Sequence, residues 1–334
     1  MTLAQLQSFV LVARLGSVKA AAAELGVTEP AVSVAVGALR RELGDNLFVR
    51  EGRGIALTGG GRRLAALAGE ILGLAEQARR SVQDSPGQPR LMQVAVTGIV
   101  AEHIGPLIDA FSARDPELEV AIESAPGDSM AEMLEHRRAD IALGPPPAPE
   151  RASTIASVPF LRCRLVVAAV PGHRLAGQRD VTPAALEGER WLVGPPGLDP
   201  TTGAGLLFAR AEIDPPDVVA YTSHAAAVAA AAAGDGVVLA IASAVTAELR
   251  RRALTRIDMR GTPMLEIWHA STLGFGRALP AALALQRFAT SPEATQAIST
   301  GRAGAASSRA RPRPHVTLWS SVAAGLGPGE PSSG

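Results

Sequence analysis

Residues 17–39, SVKAAAAELGVTEPAVSVAVGAL, predict two short helices joined by a tight turn. Ser17 and Thr28 are residue types that favour a helix N-cap, and Pro30 suits the first turn of the second helix. Gly26 stands between the two segments, where a left-handed turn is needed and glycine adopts it without steric cost. This pattern is typical of a helix-turn-helix, which presents the start of its second helix to the DNA major groove.

The flanks of this stretch extend the prediction to a compact DNA-binding fold. Thr2 and Gln5 are spaced as a capping box for a first helix, in which apolar residues recur at helical intervals through residues 3–13. Downstream, residues 47–50 and 55–58 flank a turn that contains glycine, which predicts a β-hairpin. Three helices followed by a hairpin that carries arginine are typical of a winged helix-turn-helix.

Residues 1–58 closely resemble the amino-terminal domain of LysR-type transcriptional regulators. The matching motifs are LxxLxxFxxVARLGSVxxAAAELGV (residues 3–27), PAVS (30–33), LxxELGxxLFxR (39–50) and LT (57–58). The chain departs from the family at three positions. Glu29 stands where the family usually has Gln, Arg40 where it usually has Glu, and Gly60 where Ala is usual. The resemblance implies the fold and DNA binding, but Glu29 makes the operator sequence harder to infer.

We expect the start of the second helix to face the bases and nearby basic residues to hold the DNA backbone. The expected base-facing residues are Thr28, Glu29, Pro30, Ser33 and Val34. The expected phosphate contacts are Lys19, Arg50 and Arg53. The resemblance implies that residue 29 reads a base edge. A carboxylate there is repelled by phosphates, although it can accept a hydrogen bond from a cytosine amino group.

The composition allows about two domains and argues against enzymes. The chain has 334 residues, and 32 Lys and Arg balance 32 Asp and Glu, so DNA affinity must come from the placement of charges. The single cysteine, Cys163, excludes an internal disulfide and lies in the apolar run 160–170, which favours a buried structural thiol over a redox sensor. The six histidines show no metal-ligand spacing, and GxSxG, phosphate-loop and HExxH motifs do not occur. We therefore expect no enzymatic activity, cofactor or metal.

The apolar stretches predict a cytoplasmic protein with no membrane partner. The amino terminus has no basic segment followed by a long apolar core, as a signal peptide would have. The longest apolar stretch, residues 225–245, is interrupted by Gly234, Asp235 and Gly236. That interruption favours a buried helix and strand over a membrane span.

Residues 58–84 predict a linker helix with an apolar seam. Heptad spacing relates five residues, Leu64, Leu67, Ile71, Leu74 and Ala78. We expect this seam to mediate a homodimer, within which two recognition helices read two half-sites, and a homotetramer is a further expectation. A helix packed on its own domain remains the alternative. Residues 85–89, SPGQP, predict a hinge.

From residue 91 the chain alternates between strands and helices. The predicted strands are 91–97, 119–124, 140–144, 164–170, 190–193, 218–220, 237–241 and 265–271. The predicted helices are 101–114, 129–137, 223–233 and 280–290. Such alternation favours parallel strands with right-handed crossovers, here in two small α/β lobes. This half is similar to the effector-binding domain of the LysR family and to periplasmic binding proteins.

The predicted fold class is α/β, with an N-terminal winged helix-turn-helix (1–58), a linker/dimerisation helix with its hinge (59–88) and a two-lobed effector-binding domain (89–298). Lobe I takes about 89–162 and 268–298, and lobe II about 163–267. Residues 299–334 have the composition of a disordered tail. The expected partners are double-stranded DNA, a small-molecule effector and further copies of this chain.

Ligands of open α/β sheets bind beyond the carboxyl ends of strands, near helix N-termini. The candidate effector-binding residues are Thr97, Gly98, Ile99, Thr201, Thr202, Ser223 and His224. Their hydroxyls and amides would suit a small organic anion, and the resemblance aligns Thr97 and Ser223 with cleft residues of the family. Helix capping alone is the alternative role for both. A regulator that binds DNA and senses no small molecule is the alternative for the whole protein.

Overall fold

The computed structural model describes residues 1–51, 54–83, 90–195, 197, 199–274 and 276–300. Contacts divide these residues into two compact units, one ending at Gln83 and the other containing residues 90–300. The predicted hinge, the candidate contact Arg53 and the predicted tail beyond residue 300 lie outside the described residues.

The first unit is a winged helix-turn-helix followed by a long helix, as predicted. Its elements are α1 (Leu3–Leu15), α2 (Val18–Leu25), α3 (Glu29–Leu43), β1 (Phe48–Glu51), β2 (Gly54–Leu57) and α4 (Gly59–Gln83). The expected caps are present: Thr2 and Gln5 form a reciprocal capping box, and Ser17 Oγ accepts a hydrogen bond from the Ala20 amide. Gly26 ends α2 in the left-handed region at φ 66°. Local sequence therefore sets the boundaries of these helices.

Two of the three departures from the family have a structural counterpart in this unit. A Cβ at Gly60 would lie 1.9 Å from Asp45 Oδ2, so Asp45 occupies the space that an alanine methyl would need. Asp45 Oδ1 accepts hydrogen bonds of 2.7 Å from the Leu47 amide and the Thr58 hydroxyl, which tie the hairpin to the start of α4. The guanidinium of Arg40 lies over the ring of Phe48, 5.8 Å from its centroid.

The second unit is a mixed sheet with helices on its faces. Its strands are β3 (Arg90–Val96), β4 (Leu118–Ser124), β5 (Ile141–Gly144), β6 (Ile155–Ala169), β7 (Trp191–Val193), β8 (Val218–Ala220), β9 (Val237–Ile241), β10 (Thr255–Arg256) and β11 (Met264–Leu273). Its helices are α5 (Gly98–Ala101), α6 (Gly105–Ser112), α7 (Met130–Glu135), α8 (Ala184–Glu187), α9 (Gly203–Ala211), α10 (His224–Ala233), α11 (Thr246–Arg250), α12 (Pro280–Ala289) and α13 (Pro292–Thr300). The predicted α/β class with two lobes is confirmed.

Among the described residues the strand order is β4-β3-β5-β11-β6-β9-β7-β8, with β10 pairing β6. Parallel strands lie at both ends, β3 between β4 and β5 in one lobe and β7 between β8 and β9 in the other. The long antiparallel strands β6 and β11 run through both lobes and join them into one sheet. The lobes are thus held side by side by the two strands where the chain crosses over and returns.

Two predicted elements differ from the structure, and α8, α9, α11, α13 and β10 were not predicted. The strand predicted at 164–170 begins at Ile155, because β6 continues past Pro159 beside a bulge in its pairing with β11. The helix predicted at 101–114 is divided into α5 and α6, since residues 102–104 leave the helical path. The chain continues after α12 into the unpredicted α13, whose Ala294 is buried.

Within the described residues, no single helix is long and apolar enough to span a membrane, although α2 and α3, bent by 110°, meet a length and composition test as a pair. No group of three or more metal-ligating side chains occurs in the same part of the chain.

Candidate DNA-binding surface and ligand cleft

Helix α3 separates a buried face from an exposed one. Val32, Val36 and Leu39 pack into the core of the first unit. The five predicted base-facing residues, Thr28, Glu29, Pro30, Ser33 and Val34, are all exposed, and Val34 is 67% exposed. Thr28 also caps the helix, since its Oγ1 accepts a 3.4 Å hydrogen bond from the Ala31 amide. The start of α3 is therefore presented to solvent with the side chains that the sequence predicts.

Two of the three predicted phosphate contacts lie in the described residues. Lys19 is exposed in the first turn of α2, and Arg50 is exposed on β1 of the hairpin. Glu29 is the acidic residue in the first turn of α3, where the positive end of the helix dipole favours a carboxylate. Glu29 therefore stabilises the helix locally while it opposes the approach of phosphates.

Helix α4 has two apolar faces that serve different contacts. Ala68 is fully buried against the core of the first unit, and Leu64 and Leu72 are half-buried beside it. The other four predicted seam residues, Leu67, Ile71, Leu74 and Ala78, are exposed. Leu64 therefore packs on its own domain with part of its side chain. One apolar face of this helix is therefore covered by its own domain, and the other is open.

A cleft lies between the two lobes of the second unit, at the carboxyl ends of parallel strands from both. Thr97 follows β3, Pro145 follows β5 and Gly194 follows β7. The apolar part of the lining includes Ile99, Leu165, Leu192, Val193 and Leu239. The polar side chains in the lining are Thr97, Thr201, Thr202, His224 and Glu266.

The lobes approach closely across this cleft. A Cβ at Gly98 would lie 2.4 Å from the Pro195 carbonyl oxygen, and one at Gly127 would lie 2.5 Å from Thr201 Oγ1. Gly98 is therefore a contact residue between lobes and does not line the cleft. The absence of its side chain permits the approach, which is a role that the sequence does not reveal.

The predicted cleft hydroxyls differ in how they are used. Thr97 is buried at the N-cap of α5, but its side chain makes no capping hydrogen bond, so capping does not explain it. Thr201 Oγ1 donates to Asp199 Oδ1 at 2.5 Å, and Thr202 Oγ1 caps α9. Ser223 caps α10 through a 3.0 Å hydrogen bond from the Ala226 amide, which is its alternative role, and it is not among the residues that line the cleft.

His224 contributes a backbone amide to a contact between the lobes and a buried imidazole to the cleft lining. Only 8% of the residue is exposed, and burial lowers the pKa of its imidazole to about 4, so the ring is neutral at pH 7. Its Nε2 is buried and has no hydrogen-bond partner. Its backbone N–H donates to Glu102 Oε1 at 2.6 Å. Glu102 belongs to the other lobe and was not singled out from the sequence.

Glu266 is the second acidic group that sequence reasoning missed. Its Oε1 accepts a 3.0 Å hydrogen bond from Trp268 Nε1, while its Oε2 is buried without a partner. Burial raises the pKa of its carboxyl. Its register partner Cys163 is buried as predicted, and burial together with Glu266 raises the pKa of that thiol to about 12. The sequence does mark Glu266, because an acidic residue there interrupts the apolar positions of the predicted strand 265–271.

An exposed helix of a helix-turn-helix and a cleft between two α/β lobes are together the architecture of a DNA-binding regulator with a second, separate domain. The family model for "Bacterial regulatory helix-turn-helix protein, lysR family" matches residues 3–62, and that for "LysR substrate binding domain" matches residues 85–291. The chain belongs to the LysR family of transcriptional regulators, with a helix-turn-helix domain and an effector-binding domain. This confirms the family that the first 58 residues predict.

Two relatives are similar over most of their length, and one solved structure shares the fold. The chain is 36% identical over 323 residues to the uncharacterised HTH-type transcriptional regulator Rv0377 of Mycobacterium tuberculosis, covering 96% of this chain and 100% of that protein. It is 32% identical to the HTH-type transcriptional regulator CfxR of Cupriavidus necator, covering 84% and 88%. The crystal structure of the LysR family regulator CbnR shares the fold, with a TM-score of 0.54, 22% identity and coverage of 86% and 98%.

Proposed function

We propose that this regulator reads an inverted-repeat operator with α3 and changes its transcriptional output when a small molecule enters the cleft. The observation that carries the proposal is one chain that combines an open recognition surface with a cleft holding unpartnered buried polar atoms. The first is the form of a major-groove reader, and the second is the form of a ligand site.

On DNA, the five exposed residues at the start of α3 face base edges, while Lys19, Arg50 and Arg53 contact phosphates. Base contacts select the sequence, and phosphate contacts supply affinity that depends on salt. Glu29 selects a cytosine, because its carboxylate can only accept hydrogen bonds and the cytosine N4 amino group is a major-groove donor.

The assembly is a homodimer through α4, and two dimers make a homotetramer. The exposed residues Leu67, Ile71, Leu74 and Ala78 form one stripe, while a neighbouring face of the helix packs on the winged domain. A seam of this kind fixes the separation of two recognition helices and so the spacing of the half-sites. Because α4 packs on the winged domain, the domain and the helix move as one body.

The effector acts by favouring one of two assembled states. Two of the six buried side-chain atoms that have no hydrogen-bond partner among the described residues, His224 Nε2 and Glu266 Oε2, belong to residues that line the cleft, where a ligand would supply the missing partner. Unpaired buried polar groups are rare in folded proteins and are destabilising unless a partner arrives. These two atoms favour sensing over the alternative.

Arg50→Ala tests the DNA-binding surface. Loss of one phosphate contact should weaken binding to operator and random DNA alike and reduce the slope of log K against log salt by about 0.9. The measurement is a titration of labelled promoter DNA at several salt concentrations. Arg162→Ala, which removes an exposed arginine from β6 in the second unit, is the matched control and should leave the slope unchanged. An unchanged slope for Arg50→Ala would remove Arg50 from the interface.

A further inference from the structure

The N-terminus of α10 is already filled by a carboxylate of the same chain. Glu102 Oε1 accepts from the His224 amide at 2.6 Å, and Glu102 Oε2 accepts from the Ala225 amide at 3.0 Å. Ser223 Oγ accepts from the Ala226 amide at 3.0 Å. A helix N-terminus attracts anions through these amides and the helix dipole. Because the three amides are bonded internally, an organic anion would have to displace Glu102.

The rest of the cleft is also unsuited to an anion. Within the described residues, the lining contains Glu266 and no lysine or arginine. Glu266 Oε2 is buried and unpaired, and burial raises the pKa of this carboxyl. A cation placed beside the Glu266 carboxylate would replace the favourable interaction with water that burial removes.

The neutral side chain of His224 supplies a second unpaired atom. His224 Nε2 is buried in the same lining, and an imidazole with a low pKa can accept a hydrogen bond through a ring nitrogen. Thr97 contributes a hydroxyl that makes no capping bond. A primary ammonium has three N–H donors, and these three side chains offer three acceptors. Leu165, Leu192 and Leu239 provide apolar surface for a short hydrocarbon body.

We propose that the cleft binds a small primary amine, whose ammonium is received by Glu266, His224 and Thr97, and that Glu102 excludes organic anions from α10. The proposal reverses the expectation of an anion. It deepens the proposed function, on which it depends for the regulatory consequence of binding.

The test compares n-butylamine with butyrate, which share a carbon skeleton and differ in charge at neutral pH. The readouts are the Trp268 indole N–H resonance, assigned with Trp268→Phe, and the Tm of the full chain. Butylammonium should shift this resonance saturably and raise the Tm, because the indole shares Glu266 with the ligand. Butyrate should do neither in the wild-type protein. Equal or tighter binding of butyrate, or no saturable shift with butylamine, overturns the proposal without any variant.

Two variants sharpen the assignment. Glu266→Gln should weaken butylammonium binding at least about tenfold, since the charge is lost and the shape is kept. Glu102→Gln should allow butyrate to bind, because the competing carboxylate is gone. Glu119→Gln, which changes an exposed residue on β4, is the matched control and should alter neither. Unchanged butylammonium binding in a folded Glu266→Gln would refute the site. The measurement uses no DNA, so failure of promoter binding would refute the proposed function and leave this result standing.

Discussion

Helices α3 and α10 both begin with a hydroxyl N-cap, but their N-termini are filled differently. At α3, Thr28 Oγ1 accepts a long 3.4 Å bond and the first turn is exposed. At α10, Ser223 makes a 3.0 Å bond and Glu102, which is 122 residues away, accepts from the His224 amide. One N-terminus is open to a polyanion, and the other is neutralised within the protein. The same capping motif therefore begins one helix whose N-terminus is open to an anion and another whose N-terminus excludes it. The residues that pack around each helix decide which.

The largest effect should come from acidification, because α10 carries a buried imidazole and α3 does not. Burial is the main cause that lowers the pKa of His224 from 6.5 to about 4; Glu102 opposes the shift and His103 adds to it. The unfolded chain binds a proton below pH 6.5, whereas the folded chain does so only near pH 4. The stabilisation present above pH 6.5 is therefore lost as the pH falls to 4, by about 3 kcal/mol.

This loss can be isolated with His224→Gln. Denaturation followed by tryptophan fluorescence reports on the second unit through Trp191 and Trp268, once Trp319 is replaced by Phe in both proteins. Between pH 7 and 4 the wild-type protein should lose about 3 kcal/mol more than the variant. Glu266 shifts in the opposite sense, because burial raises its carboxyl pKa, and it is present in both proteins. If the free energy of unfolding falls equally in the two proteins between pH 7 and 4, the imidazole is not buried in the neutral form.

Removing either N-cap should change the free energy of unfolding by a smaller amount, and the two changes should differ. Ser223→Ala should lower the free energy of unfolding by about 1 kcal/mol, while Thr28→Ala should cost roughly 0.5 kcal/mol because its bond is long. Thr28→Asp should preserve the cap, whereas Ser223→Asp should not, since a second carboxylate would meet Glu102. Hydrogen exchange of amides in α3 and α10 measures both helices. Equal tolerance of aspartate at the two caps would contradict the assigned difference.

The smallest effect should come from Glu29→Gln, which removes the only acidic side chain in the first turn of α3. Stability should change by less than about 0.5 kcal/mol, because the residue is exposed. Affinity for random DNA should rise about threefold, the equivalent of roughly 0.7 kcal/mol of relieved repulsion. A matched titration of Glu119→Gln in the second unit should show no change. If affinity for random DNA does not rise, the charge of Glu29 does not repel the DNA backbone.

Local patterns predicted most elements, and the misses have identifiable causes. Strand Val237–Ile241 is found where it was predicted, because a short apolar run follows the glycine that ends α10. Strand β6 was predicted too short, since Pro159 interrupts its pattern and only the partner strand β11 shows that pairing continues. Helix α13 was not predicted because its contacts are with a distant part of the chain: Arg114, which follows α6, pairs with Glu293 of α13.

What the sequence by itself determined is the winged helix-turn-helix, because its caps, turn glycine and apolar spacing act within a few residues of one another. It also determined the family and the location of a cleft beyond the ends of parallel strands. Only the tertiary structure decided the charge of that cleft, because Glu266 lines it and Glu102 reaches the N-terminus of α10 from a segment 122 residues away. The physical reason is that a backbone cap is a short-range property, whereas the electrostatics of a buried site depend on every element that packs around it.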